Sequence, residues 1–338
     1  MRFEQRLQQH WYGNPGWLRL LLPLEWLFRA VAALRRALFQ LRLLRRYRAP
    51  VPVIVVGNIA VGGTGKTPVT LALCSALRRF GYRPGIVSRG YGAQPPHTPF
   101  LVKPDSDPHH SGDEPLLLAR RSDCPVVIAP RRAGGVRDLL KMTDCDVVIC
   151  DDGLQHYALA RDIEIVVVDG ARGFGNGHCL PVGPLREPPS RLQRVDAVLI
   201  NGAASGGDDA LCDIDGDPIA LTPVALVNLV SGERLTPTAW AGRQAHALAG
   251  IGNPDRFFAT LRAFGIEPIE RPLPDHHSFS ADDLRIHDQL PIVMTEKDAV
   301  KCAPFASERC WYLAVETTLP DSLIEALLGR IAALSAAH

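Results

Sequence analysis

The chain of 338 residues lacks a dominant charge: 37 Lys and Arg stand against 36 Asp and Glu, a net charge of +1. That balance gives no ground for a nucleic acid or another extended polyanion as its partner. Paired-cysteine spacing is missing as well. Cys74, Cys124, Cys145, Cys150, Cys179, Cys212, Cys302 and Cys310 include no CxxC pair, and most lie in apolar runs. This argues against a disulfide framework and for a reducing compartment. A secretory leader is not expected, because Glu4 and a series of polar residues precede any apolar stretch. Internal repeats and low-complexity tracts are absent, and 46% hydrophobic with 22% charged residues excludes global disorder. No apolar run reaches the roughly 20 residues of a bilayer span. Between Trp17 and Leu44, every candidate is interrupted by Arg19, Glu25, Arg29, Arg35 or Arg36.

The near-zero total hides an asymmetry. Residues 1–50 contain ten Arg, no Lys and only two acids, Glu4 and Glu25. The segment therefore carries +8 and the remainder −7. After Pro23, Leu27, Val31, Leu34, Leu38 and Leu41 recur at helical spacing on one face. Arg29 and Arg36 lie opposite, Arg35 and Arg42 flank the stripe, and Trp11, Trp17 and Trp26 are suited to a headgroup interface. The pattern predicts a helix lying in one leaflet of an anionic membrane. Spacing alone equally allows a helix whose apolar stripe packs on the protein's own core.

From Pro50 onward, short Val/Ile runs alternate with helical patterns. Strands are expected at Val51–Gly57, Pro84–Ser88, Cys124–Ala129, Asp146–Cys150, Ile163–Val168 and Ala197–Ile200. Helices are expected at 66–80 and 131–142, and one begins near Asp113, capped by Ser111 or Asp113. Such alternation indicates an α/β chain with a parallel sheet covered on both faces. Gly170–Pro189 is too long and too rich in Gly and Pro for an idle connection and reads as a functional loop. A turn-rich stretch near residues 203–217 suggests a boundary. Beyond it, two strands around Ile219–Leu229 precede a second, smaller α/β domain, which includes a helix at Ala281–His287.

The sharpest local signal is the strand VPVIVVGN followed by IAVGGTGKTP. Val61, Gly62, Gly63, Thr64 and Gly65 form a loop whose backbone N–H groups can turn inward around phosphate oxygens. Lys66 would reach the outer phosphates, and Thr67 would offer a hydroxyl to magnesium at the start of a helix. Ala60 replaces the first glycine of the strict pattern. The metal-associated acids of such a site come from strand ends. VVICDDGLQH supplies Asp151 and Asp152, with Asp169, after IVVV, as a further candidate. SGDEP places Asp113 and Glu114 at a helix start. LPDHHSF presents Asp275, His276 and His277 in a loop, either toward a metal or as a base oriented by a carboxylate.

Taken together, GNIAVGGTGKTP (57–68), VSRGYG (87–92), SGDEP (111–115), PRR (130–132), DDGLQH (151–156), LPVGPLREP (180–188), PDHHSF (274–279) and TEKDAVK (295–301) resemble the tetraacyldisaccharide 4′-kinase family. The resemblance runs from about residue 50 to 301, in the family's order. It implies a P-loop NTPase-type parallel-sheet domain (49–217) behind a basic, amphipathic, membrane-associated segment (1–48). A two-stranded linker (218–232) and a smaller α/β domain (233–338) would follow. It also implies transfer of the ATP γ-phosphate to the 4′-hydroxyl of a tetraacylated glucosamine disaccharide 1-phosphate, at the cytoplasmic face of a Gram-negative inner membrane.

By resemblance, Asp113 and His276 form the catalytic dyad, contributed from different domains, and Lys66 and Thr67 handle phosphate and Mg2+. Asp151, Asp152 and Glu187 would serve the metal, and Arg132 and Arg186 an anionic substrate or ATP. His277 would be a bystander. From another class, a membrane-attached P-loop switch NTPase fits the phosphate loop. Its guanine form is disfavoured because Lys297 and Asp298 are adjacent in TEKD.

Overall fold

The structure, a computed structural model, describes residues 3–203, 214–275 and 277–335. Part of the expected boundary stretch, together with His276 and Cys212, lies outside the described residues. In chain order the elements begin with α1 (Phe3–Trp11), α2 (Leu22–Gln40), β1 (Val53–Gly57), α3 (Lys66–Arg79), β2 (Pro84–Ser88), β3 (Phe100–Val102), α4 (Pro108–Ser111), α5 (Asp113–Arg121) and β4 (Val126–Ile128). They continue with α6 (Arg132–Met142), β5 (Val147–Asp151), β6 (Ile163–Asp169), β7 (Ala197–Asn201), β8 (Asp217–Ile219), β9 (Thr222–Asn228), β10 (Arg234–Leu235) and β11 (Gln244–Ala249). The last are α7 (Pro254–Ala263), β12 (Glu267–Pro272), β13 (Ile292–Thr295), α8 (Glu296–Cys302), β14 (Cys310–Glu316) and α9 (Asp321–Ser335).

Two compact units result, and neither is a continuous stretch of chain. The first draws on Met1–Arg89, Ala129–Ala220 and Thr318–His338, the second on Gly90–Ile128 and Leu221–Thr317. In the first, six strands run in the order β2-β5-β1-β6-β7-β8, every neighbouring pair parallel. Their Val/Ile runs are buried on both faces, the state such continuous apolar strands require. Because the strands are parallel, the segments leaving β5, β1 and β6 emerge side by side at the carboxyl end of the sheet, where ligands of open α/β sheets bind. Helix α9 returns to this unit and buries Leu323, Leu327 and Ile331.

The arm adopts the expected helix, with the opposite side inward. Glu25 and Phe39 of α2 are buried, as is Leu18 in the preceding 3₁₀ turn. Leu24, Trp26, Leu27, Val31, Leu34 and Leu41 are exposed. The apolar stripe does not pack on the protein's own core. Among the described residues, no helix is long and apolar enough to cross a membrane.

The second unit contains a six-stranded sheet, β10-β9-β14-β13-β11-β12, parallel from β14 to β12 and antiparallel at β9 and β10. Phe257, Phe258 and Leu261 of α7 join Trp240, Trp311 and Val293 in one apolar core, the two indoles meeting edge-on at 5.1 Å. The unit also includes the antiparallel pair β3–β4 and the contact of α5 with α8.

Three expectations are revised. The anticipated two-stranded linker is divided by its hydrogen bonds: β8 extends the first sheet beside β7, while β9 joins the second beside β14. Segment 90–128 belongs with the second unit rather than the first, so Asp113 lies in the same unit as the PDHHSF loop. At Ala281–His287 only the turn Ala281–Leu284 is helical. There Ser280 and Asp283 form a capping box, the Asp283 carboxylate accepting from the Ser280 N–H and hydroxyl, and the turn ends where the backbone leaves helical geometry at Arg285.

The Phe258→Ala variant should lose about 3–5 kcal/mol of stability through the cavity it leaves. A urea midpoint equal to that of the parent would remove this ring from the core of the second unit.

Candidate active site

The phosphate loop departs from the end of β1. Gly62 and Gly65 adopt φ values of +111° and +95°, which side chains strain to reach, and Gly65 caps α3 so that Lys66 is its first residue. The loop is held from outside: the Asn201 side chain donates to the Thr64 carbonyl (3.0 Å), the Asn58 side chain to the Gly62 carbonyl (3.3 Å), and the Val61 N–H to the Pro184 carbonyl (2.8 Å). The Thr64 hydroxyl is buried and has no partner among the described residues. With the leading N–H groups of α3, it leaves a donor-rich lining of the kind that anionic oxygens satisfy.

The two acids that end β5 differ in environment. Asp151 is buried, and the hydroxyls of Ser88 and Thr70 donate to it at 3.4 and 3.5 Å. Asp152 adopts a left-handed φ of +49° and turns its carboxylate to Arg186 (3.2 and 3.3 Å) and Lys66 (3.7 Å). Burial pushes its pKa up, but the charges of Lys66 and Arg186 outweigh burial and hold it down to about 2. His156, in the same motif, is driven down to about 4 by burial and by the Arg132 and Arg89 charges, so it is neutral at pH 7. Burial raises the Cys150 thiol to about 12, leaving it inert.

Other expected residues take different positions. Arg132 does not face an incoming anion. It is almost fully buried at 1% exposure, and its guanidinium donates to the backbone carbonyls of Ala129 (2.8 Å), Asp151 (3.0 Å) and Asp152 (3.4 Å). It therefore fixes the backbone that presents the acids. Glu187 is buried among Gln155 (2.9 Å), the Tyr157 hydroxyl (2.7 Å), Arg191 (3.2 Å) and Arg36 (3.6 Å). Asp169 accepts from the N–H groups of Ala171 and Arg172 at the turn after β6. Among the described residues, no group of three or more His, Cys, Asp or Glu could hold a metal. The hard oxygens of Thr67, Asp151 and Asp152 nonetheless suit magnesium, which usually takes one or two carboxylates and completes its shell with phosphate and water.

In the second unit, Asp113 is the first residue of α5, buried, with its Oδ1 accepting the Glu114 N–H. Two lysines of α8 converge on its Oδ2, Lys297 at 3.8 Å and Lys301 at 3.7 Å. Lys297 also pairs with Glu114 (2.8 Å), and Lys301 with the fully buried Asp298 (2.9 Å). Burial pushes the Lys297 ammonium down, but the carboxylates of Glu114 and Asp113 hold it above the ordinary lysine range. His277 pairs with Asp283 (3.2 Å) and packs edge-on against Phe279.

Sequence reasoning left Lys297 and Lys301 unassigned. Their local signs are their place in TEKDAVK (295–301) and their i, i+4 spacing on a helix capped by Thr295. It also left out Tyr12 and Arg172. Both line a shallow pocket beside the phosphate loop, together with Val61, Gly62, Thr64 and Asp169.

The family described as tetraacyldisaccharide-1-P 4′-kinase matches residues 17–332. A tetraacyldisaccharide 4′-kinase of Pseudomonas paraeruginosa is 52% identical over 98% of this chain and 100% of its own length. Its counterpart in Ectopseudomonas mendocina is 51% identical over 99% of both chains. The crystal structure of LpxK from Aquifex aeolicus in complex with ATP superposes with a TM-score of 0.78 at 27% identity, covering 94% of this chain and 99% of that one.

A carboxylate held near pKa 2 contributes stability that is complete above roughly pH 4 and is lost as the pH falls toward 2. Arg186→Gln should lower stability at neutral pH and flatten that acid-side loss, read from denaturant midpoints at stepped pH. An unaltered acid limb would detach Arg186 from Asp152.

Proposed function

The chain belongs to the tetraacyldisaccharide-1-P 4′-kinase family, and we propose that the residues described above carry its ATP-dependent phosphorylation of the lipid A precursor. The observation that carries this reading is the phosphate loop: Lys66 stands first on α3, behind a left-handed Gly65, 3.7 Å from Asp152.

Phosphoryl transfer asks a protein chiefly for positioning and charge stabilisation. The backbone of Gly62–Gly65 and the start of α3 bind the triphosphate, and Lys66 exchanges its contact with Asp152 for the outer phosphates. Thr67 with Asp152 or Asp151 holds Mg2+, which neutralises charge on the phosphates when bound. Arg186, already paired with Asp152, is the cation available to ATP or the transferring group. Asp113, oriented by Lys297 and Lys301, acts with His276 to take the proton of the 4′-hydroxyl. The new bond joins that oxygen to the γ-phosphorus as the bond to the leaving ADP breaks. The buried position of Glu187 supports a role in shaping the site.

The acceptor is a tetraacyldisaccharide 1-phosphate, and the arm provides a means of meeting it. Leu24, Trp26, Leu27, Val31, Leu34 and Leu41 expose a contiguous apolar stripe on a helix rich in arginine. Such a stripe fits the interfacial region of an anionic bilayer, here the cytoplasmic face of the bacterial inner membrane. Because Leu18, Glu25 and Phe39 are buried in the first unit, the arm is tested by substitution rather than by deletion.

In a 4′-kinase assay, Lys66→Ala and Asp113→Ala should each lower kcat at least about 100-fold, the scale of a lost electrostatic or acid–base contribution. Full activity in either variant would remove that residue from the chemistry. Leu27→Glu combined with Leu34→Glu should reduce sedimentation with anionic vesicles at least about tenfold, since burying each leucine contributes roughly 1.5–3 kcal/mol. Unchanged sedimentation would exclude the stripe as the membrane face.

A further inference from the structure

The arm and the phosphate loop meet through the segment between β6 and β7. On the loop side, Ala60 bridges to Leu185, the Val61 N–H donates to the Pro184 carbonyl (2.8 Å), and the Arg186 N–H donates to the Ile59 carbonyl (2.6 Å). On the arm side, the Trp11 indole donates to the Pro181 carbonyl (3.1 Å), and the Asn176 N–H donates to the Trp11 carbonyl (2.8 Å). Gly175 lies so close that a Cβ would stand 2.4 Å from that same Trp11 oxygen, at a φ of +60°. Glu25 of α2 accepts the Cys179 N–H at 3.0 Å and lies 2.8 Å from His178 Nδ1.

Two arm residues go further and touch groups of the site itself. The Tyr12 hydroxyl donates to the Val61 carbonyl (3.2 Å), and its ring is covered by the Arg172 guanidinium at 4.8 Å. Val61 is thus gripped by the arm through its carbonyl and by the segment between β6 and β7 through its N–H. Arg36 of α2 pairs with Glu187 (3.6 Å), and Phe39, one turn on, packs against Tyr157, whose hydroxyl donates to Glu187.

We propose that the N-terminal arm is a positioning part of the nucleotide site: Tyr12 fixes the entry of the phosphate loop through Val61, and Arg36 fixes Glu187. The inference rests on the reading that residues 61–67 hold ATP. An arm serving only as a membrane tether needs neither contact, since the exposed apolar stripe that would meet lipid lies on the other side of α2. Displacing Val61 by a few tenths of an ångström turns the loop's N–H groups away from the phosphates, because a hydrogen bond depends steeply on angle.

The test uses the full chain in detergent micelles without vesicles, with binding of labelled ATP and 4′-kinase kinetics as readouts. Tyr12→Phe, which removes one oxygen and keeps the ring, should weaken ATP binding about three- to tenfold. Arg36→Gln should weaken it about two- to fivefold. In both, KM for ATP should rise in parallel while kcat at saturating ATP stays within about twofold, the split expected when binding rather than chemistry is altered. Arg36→Lys should recover most of the loss.

Lys66→Ala serves as the reference. If it weakens ATP binding and neither arm variant does, the arm has no positioning role. An Arg36→Lys variant no better than Arg36→Gln would also overturn the assignment to Arg36. ATP binding unaffected by Lys66→Ala would instead overturn the nucleotide-site reading. Should Arg36→Gln fail to fold, the Tyr12→Phe result decides alone.

Discussion

A carboxylate taken out of water must find hydrogen-bond donors, at a cost of several kcal/mol if it does not. Glu25, exposed by only 1% and the one acid of its helix, meets that requirement at His178 and the Cys179 N–H, with Arg29 alongside. This one contact orients α2. Its inward side carries Glu25, Arg36 and the buried Phe39, and the stripe of Leu24, Leu27, Val31 and Leu34 faces outward. The amphipathic rule of globular helices is thereby inverted, and the inversion makes sense where the outer medium is lipid. The same contact pins the Gly/Pro-rich segment after β6, and that segment pairs with the entry of the phosphate loop.

Within the first unit the site is built by charge neutralisation around one acid. Asp152 would be costly to bury alone, and Lys66 with Arg186 makes its ionised form the stable one. Arg132, wholly inside, holds the backbone of Asp151 and Asp152, so the left-handed turn at Asp152 is supported by two backbone contacts of one guanidinium. The second unit repeats the logic at Asp113, where Lys297 and Lys301 of α8 oppose the acids of α5 and Asp298. In both places the lysines arrive ion-paired, so binding an anion requires exchange of partners rather than capture by an isolated cation.

Much of this was legible in the residues. Buried parallel strands such as β1, β2 and β5 are uninterrupted apolar runs because both faces are covered, and the glycine spacing of the phosphate loop reports its backbone geometry directly. The direction of the arm was not legible: periodicity defines a stripe but cannot say whether protein or lipid covers it. By resemblance Arg132 would contact an anionic substrate or ATP, but its partners are backbone carbonyls up to 20 residues away across a strand end, which PRR does not reveal. Lys297 and Glu114 are separated by 183 positions, so their pairing has no local trace. The helix expected at Ala281–His287 starts with a capping box of Ser280 and Asp283 but ends after one turn, where the backbone leaves helical geometry at Arg285.

Hydrogen exchange of the full chain with Glu25→Ala tests whether the docking of α2 reaches the phosphate loop. If docking of α2 through Glu25 organises the nucleotide site, amides of 176–187 and of 59–65 should exchange faster than in the parent. Those of β11, β13 and β14 in the second unit should keep their protection. Acceleration confined to residues 3–40, with the phosphate loop unchanged, would contradict it.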